Sequence, residues 1–228
     1  MSRPLVAVFL GPPGSGKGTQ SRILSESLSI PHVSTGEVLR EAVRANSALG
    51  QRVRQQMNAG SFVSDTVVAE IVAERIRAAD CSRGFILDGF PRTLSQAETL
   101  GSLLAGIGFP PPLVFKLGVD ESRLEERISG RLTCTVCQEI YNSVSHEPRV
   151  SGRCDRCAGL LEVRTDDSKS VLEGRIADFR LQTEPLVSYY RDRGSLVDVP
   201  GDGDIDSVRA DILASVNERW FRAKGSNV

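Results

Sequence analysis

Gly11-Pro12-Pro13-Gly14-Ser15-Gly16-Lys17-Gly18-Thr19 sets a lysine among closely spaced glycines, directly after the apolar run Leu5 to Leu10. Glycines let a backbone wrap around an anion, amide N–H groups opening a helix attract negative charge, and a lysine there bridges phosphate oxygens. The loop is therefore a phosphate cradle. Its departure from the usual pattern is Gly18, which stands where a Ser or Thr ordinarily ligates Mg²⁺, with Thr19 one place later. A second constellation is Cys134-x2-Cys137 and, 16 residues on, Cys154-x2-Cys157. This is the spacing of a four-cysteine zinc site, with disulfides as the rival that a reducing compartment disfavours. Cys81 stands apart as a small buried filler. His32 and His146 read as structural or surface residues, and no serine–histidine triad accompanies them.

These groups need a scaffold. The fully apolar run Leu5 to Leu10 reads as a strand buried on both faces, and the pattern of Ile23, Leu24 and Leu28 makes the glycine loop a strand-to-helix turn. Further β-type runs at Phe85–Leu87, Leu113–Phe115 and Leu196–Val199 alternate with helical patterns, which predicts an α/β fold with a parallel sheet flanked by helices. One such pattern, between Val63 and Ala79, has Ser64 or Asp65 available as N-cap. Another begins near Asp120 and is expected to carry Arg123, Arg127 and Arg131 on one helix face at i, i+4 and i+8. A last amphipathic segment spans about Ile205 to Trp220.

The chain has 228 residues, 40% hydrophobic and 25% charged, as in one ordinary globular core with inserted subdomains. No run reaches the roughly 20 apolar residues that span a bilayer, and Leu5 to Leu10 is too short for a secretory segment, so a cytoplasmic protein is expected. A net charge of −1 gives no global attraction to nucleic acid or to acidic membranes. Any anion site must come from local cations, and with 24 Arg against 4 Lys those are mostly guanidinium forks suited to bidentate phosphate contacts. Compositional bias explains most of these arginines; only those within a constellation count.

Gly-Lys-Gly-Thr resembles the loop of the nucleoside monophosphate kinases. Ser34-Thr35-Gly36-Glu37-Val38-Leu39-Arg40 and Leu87-Asp88-Gly89-Phe90-Pro91-Arg92-Thr93 with Gln96 are similar to two further motifs of the adenylate kinases, in that family's order. The resemblance covers essentially the whole chain. It implies a P-loop NTPase-type core (1–33, 64–129 and 168–228), an AMP-binding subdomain (34–63) and a lid (130–167), both closing on substrate. It also implies Mg-dependent, reversible, in-line transfer between ATP and AMP to give two ADP, in adenine nucleotide homeostasis, by a monomer that binds neither nucleic acid nor membrane.

On the same footing ATP falls to Gly14, Ser15, Gly16, Lys17, Gly18, Thr19, Arg127, Arg131 and Tyr141, with Tyr141 either packing in the lid or lying near the ATP base. AMP falls to Thr35, Arg40, Met57, Phe62, Val63, Gly89, Arg92, Gln96, Arg164 and Arg175, where Gln96 reads the adenine edge and Arg92 grips the phosphate. Lys17, Asp88, Arg92, Arg127, Arg131, Arg164 and Arg175 are the implied catalytic set. Asp88 would reach Mg²⁺ through water, a turn or helix cap being its other reading. Cys134, Cys137, Cys154 and Cys157 would hold a structural Zn²⁺. The lid lacks the family's frequent Phe-Asn-Pro-Pro stretch, having Ser145-His146-Glu147-Pro148, and Leu132 replaces a frequent arginine. The open alternatives are a monophosphate kinase using UMP, CMP or GMP, or GTP as donor, a kinase that binds without catalysis, and a nucleic-acid zinc ribbon. Against the last, Arg149, Arg153 and Arg156 only balance Glu139, Glu147 and Asp155.

Overall fold

In the computed structural model, which describes residues 3–59 and 61–221, β1 (Leu5–Leu10) runs through the glycine loop into α1 (Lys17–Leu28). Residues 1–2, Gly60 and 222–228, which the expected segments 1–33, 34–63 and 168–228 include, lie outside the described residues. β2 (His32–Ser34) leads into α2 (Thr35–Arg44), α3 (Ala48–Asn58) and α4 (Asp65–Arg75). β3 (Gly84–Asp88), α5 (Leu94–Gly106), β4 (Leu113–Gly118) and α6 (Glu121–Ser129) follow. Then come three short strands, β5 (Arg131–Cys134), β6 (Ile140–Asn142) and β7 (Leu161–Glu162), and finally α7 (Lys169–Asp178), α8 (Pro185–Asp192), β8 (Leu196–Pro200) and α9 (Ile205–Val216).

The central sheet has the order β2-β3-β1-β4-β8, and every pairing is parallel. A parallel sheet must be covered on both faces, and the two-residue period of β1 divides its side chains accordingly. Val6, Val8 and Leu10 pack with Val72, Leu100 and Leu186 from α4, α5 and α8, while Leu5, Ala7 and Phe9 pack with Leu24 of α1 and Val208 and Ile212 of α9. Because all five strands run the same way, their C-terminal ends present the glycine loop, Thr35, Asp88 and residues 201–205 along one edge. Parallel sheets collect ligand groups at that edge, where the connection order reverses.

The three short strands form a separate antiparallel sheet, β6-β5-β7, between α6 and α7. Here the expected three-arginine helix face is corrected. α6 ends at Ser129, Gly130 is its C-cap, and Arg131 opens β5, so only Arg123 and Arg127 share the helix. Asn142 Nδ2 donates to the Arg127 carbonyl at 3.0 Å, which answers a helix-end acceptor without another turn. Among the described residues no helix is long and apolar enough to cross a membrane.

α2 and α3 pack so closely that a Cβ added at Gly50 would lie 1.9 Å from the Ala42 carbonyl oxygen. Gly50→Ala is therefore expected to cost about 1–3 kcal/mol and to lower the melting temperature by several degrees; an unchanged melting curve would contradict this packing.

Candidate active site

The loop between β1 and α1 is built by left-handed backbone at Gly14 (φ 83°) and Gly16 (φ 93°). Only glycine adopts that conformation without strain. At Gly14 a side chain would also meet Ile128 Cγ1 at 3.0 Å. Among the described residues no side chain caps the N-terminus of α1, so its first N–H groups remain directed to the loop. Lys17 Nζ donates to the carbonyls of Gly11 and Pro12, both at 2.8 Å, and lies 3.4 Å from Ser15 Oγ. Burial pushes its pKa down to about 7, Asp88 opposes this, and Arg92, Arg175 and Arg131 add to it.

Asp88 ends β3 on the other side of the loop. Burial alone would raise its pKa, but His32, Lys17 and Arg92 hold the carboxyl well below the ordinary carboxylate range. His32 Nε2 is 3.7 Å from Asp88 Oδ2 and 3.0 Å from Ser21 Oγ. Gly18 accounts for the odd loop. A Cβ there would sit 3.4 Å from Asp88 Oδ2 and 3.0 Å from Ile140 Cδ1, so the glycine leaves room for the carboxylate and for a strand of the small sheet. Thr19 and Gly18 both line the same cleft.

That cleft has a volume of about 520 Å³ and is lined by the glycine loop, Asp88, Arg40, Arg92, Arg123, Arg127, Arg131, Arg164 and Arg175. The arginines come from α2, the turn after β3, α6, β5, the turn after β7 and α7. Arg131 forms a two-point pair with Asp167, Nε donating to Oδ2 at 2.7 Å, and Arg175 reaches Asp167 at 3.2 Å and Asp166 at 3.0 Å. The Asp167 side chain is fully buried. Arg164 Nε donates to Thr133 Oγ1 at 2.9 Å. Burial first, then neighbouring guanidinium groups, pushes Arg92 and Arg164 down in pKa; Arg40 and Arg127 are also lowered chiefly by burial. Arg40 Nε is buried and makes no hydrogen bond among the described residues.

A smaller cavity adjoins this cleft, lined by Thr35, Arg40, Met57, Phe62, Val63, Gly89, Arg92, Gln96 and Arg175. Arg92 lies over the Phe62 ring, 5.1 Å from its centroid, and its Nε donates to the Gly89 carbonyl at 2.9 Å, an oxygen that also accepts from Thr35 Oγ1 at 3.1 Å. Gln96 is buried, with Oε1 accepting from the Arg92 N–H at 2.7 Å and Nε2 donating to Asp65 Oδ1 at 2.7 Å. Its amide thus fastens the start of α5, leaving one N–H and one lone pair for a base.

Cys134, Cys137, Cys154 and Cys157 meet in the small sheet with their sulfurs all within 4.8 Å of one another, and all five cysteines of the chain are free. A tetrahedral four-thiolate site with metal–sulfur bonds of roughly 2.3 Å needs sulfur separations of roughly 3.8 Å. The Cys134–Cys157 and Cys137–Cys154 separations are 3.4 and 3.5 Å. The two knuckles share one backbone form: Gln138 and Ala158 are left-handed (φ 61° and 58°), and their N–H groups donate to the Cys134 and Cys154 carbonyls. These residues fit a metal ion. Tyr141 is buried beside them; its ring stacks on His146 at 5.2 Å and its hydroxyl accepts from the Asp155 N–H at 2.8 Å.

Sequence reading missed Asp166 and Asp167 as partners of the arginines, and the DD pair beside Arg164 was the available signal. It also missed residues 201–205, which line the cleft from the end of β8. A Gly-Asp-Gly-Asp turn after a strand marked them. The contact of His32 with Asp88 had no local sequence signal, because it depends on β2 lying beside β3.

A family model described as adenylate kinase matches residues 9–195. The chain is 43% identical over 207 residues to an adenylate kinase of Desulfitobacterium hafniense (strain DSM 10664 / DCB-2), covering 91% of this chain and 95% of the relative. It is 43% identical over 212 residues to an adenylate kinase of Thermodesulfovibrio yellowstonii (93% and 99%). It is 44% identical over 207 residues to one of Archaeoglobus fulgidus (91% and 95%).

Protein purified without added metal is expected to carry about one tightly held metal ion per chain and to melt at lower temperature after chelation. Metal-free protein with four freely titrating thiols at 134, 137, 154 and 157 and an unaltered melting curve would exclude the site.

Proposed function

From the premise that the chain belongs to the adenylate kinase family, we infer how its cleft performs the family's reaction. The protein is a phosphotransferase that converts ATP and AMP into two ADP. The observation that carries the mechanism is the gathering of Lys17, Arg40, Arg92, Arg131, Arg164 and Arg175 in one cleft, whose lining holds eight Lys and Arg side chains against five of Asp and Glu (Glu37, Asp88, Glu126, Asp202 and Asp204). Such an excess of half-buried positive charge asks for a polyanion, and two nucleotides bring one.

The glycine loop and Lys17 take the ATP phosphates, with Arg127 and Arg131 beside them. Residues 34–63 form the AMP-side subdomain, where Arg40 and Arg92 hold the AMP phosphate and Thr35, Met57, Phe62, Val63, Gly89 and Gln96 enclose the nucleoside. Residues 130–167 form the lid. The AMP phosphate is already ionised near neutral pH, so no general base is required; the barrier is repulsion between two anions. Lys17, Arg164 and Arg175 offset the charge on the transferring group while the two nucleotides are held in line. Mg²⁺ carried with ATP supplies further charge neutralisation, and the ionised Asp88 beside Gly18 fits a water-mediated hold on it.

Bonds from Arg44 to the Thr135 carbonyl (3.0 Å) and from Arg156 to Glu26 (2.9 Å) support a lid that seats over the cleft and excludes water. Zinc is the metal assigned to the lid, since four soft thiolates in a tetrahedral set select it. It fills its coordination with protein and has a structural role. We also assign the protein to the cytoplasm, as a monomer acting on free nucleotides, for which five free cysteines are suitable.

A coupled assay with ATP, Mg²⁺ and a panel of monophosphates is expected to show ADP formation fastest with AMP; faster turnover with UMP, CMP or GMP would overturn the acceptor assignment. Lys17→Met is expected to lower kcat by roughly 100-fold or more with no loss of melting temperature, and wild-type turnover would remove Lys17 from its role.

A further inference from the structure

Thr183 is far along the chain from the glycine loop and in none of the motifs, yet it lines the same cleft and touches the arginine assigned to the AMP phosphate. It is 5% exposed, and its Oγ1 donates to the main-chain carbonyl of Arg92 at 2.9 Å. The Arg92 N–H is held from the other side by Gln96 Oε1 at 2.7 Å. Both peptide groups flanking the Arg92 Cα are thus fixed by side chains, and its guanidinium adds a third anchor on the Gly89 carbonyl.

The sequence explains how Thr183 comes to face inward. α7 and α8 are joined by a π-helical turn over Phe179–Thr183, in which the Glu184 N–H reaches the Phe179 carbonyl, five residues back, at 2.8 Å. Pro185 follows. Proline has no N–H for the carbonyl four residues earlier, and its ring collides with that carbonyl in a regular helix, so the turn widens. The widened turn rotates residues 179–183 relative to α7: Phe179 lines the cleft, Leu181 is 76% exposed, and Thr183 is buried against Arg92. Such bulges within helices recur at functional sites. The same helical run also carries Arg175 to Asp166 and Asp167.

We propose that Thr183 is a positioning residue for phosphoryl transfer: its hydroxyl, turned inward by the π turn at Pro185, fixes the Arg92 backbone and so sets the distance between Arg92 and Arg175 across the cleft. The inference rests on the assignment of Arg92 to the AMP phosphate. Loss of the hydroxyl lets the Arg92 turn shift and leaves a buried carbonyl without its donor.

The test is steady-state kinetics with each substrate varied, on Thr183→Val, Thr183→Ser and Arg92→Met, with melting curves for all three. Thr183→Val keeps the shape and removes the hydroxyl, and it is expected to raise KM for AMP roughly tenfold while KM for ATP stays within about twofold. Thr183→Ser is expected to restore the AMP value. If Thr183→Val does not fold, Thr183→Ala is read in its place. A normal KM for AMP in the hydroxyl-free variant, equal losses for both substrates, or failure of serine to rescue would overturn the positioning role while Arg92→Met still weakens AMP. An Arg92→Met enzyme with an unchanged KM for AMP would overturn the Arg92 assignment itself and this inference with it.

Discussion

Taking a guanidinium or ammonium group out of water costs several kcal/mol unless counter-charge or hydrogen bonds meet it, and Lys17 and seven arginines converge on one edge of this sheet. The carboxylates around them meet this charge only in part, five lining the cleft against eight cations. Asp167, wholly buried, is shared between Arg131 and Arg175, and Asp88 is divided among Lys17, Arg92 and His32. Lys17 meanwhile points its ammonium at two carbonyls of its own loop. The parallel sheet makes this accumulation possible, because it brings the ends of five strands to one side and supplies a rigid base. Phosphate-bearing substrates complete the charge balance, so binding and catalysis draw on the same electrostatic deficit.

The glycine loop was legible because every part of its chemistry is local: glycine conformation, helix start and lysine lie within nine residues. The four cysteines were legible for a related reason, since each knuckle is a short turn with its own fixed backbone form. Arginine partners were not, because Asp166 and Asp167 meet Arg131 only after β5 and α7 have packed. Gly130 was another overlooked local signal, beside the Asp166-Asp167 pair and the turn at 201–204, and it moved Arg131 from a helix face to a strand. Gln96 shows how residue type underdetermines role: the amide expected at a base also completes the start of α5. Thr183 was out of reach, since its direction depends on a π turn rather than on helical periodicity.

The small antiparallel sheet obeys a different constraint. Its own apolar core amounts to Cys134, Tyr141 and Cys154 with a few half-buried neighbours, while Val136, Val144 and Val150 remain exposed. So small a sheet cannot fold on hydrophobic burial alone, and metal ligation replaces the missing core. The knuckle between Cys134 and Cys137 also offers carbonyls to the rest of the molecule: Arg44 binds that of Thr135 and Arg22 that of Cys137. The small sheet therefore presents acceptors to the helices it faces, and a metal ion held by the four cysteines would fix them.

If unmet positive charge is the organising feature, Lys17 should regain its proton when phosphates arrive. Burial pushes its pKa down to about 7, which leaves it largely neutral at pH 8, and bound phosphate raises it. Isothermal titration calorimetry of ATP binding in buffers of different ionisation enthalpy counts the protons transferred. An uptake approaching roughly one proton at pH 8, fading toward pH 6 where Lys17 is already charged, is the expected result. No uptake at pH 8, or proton release, would contradict the account.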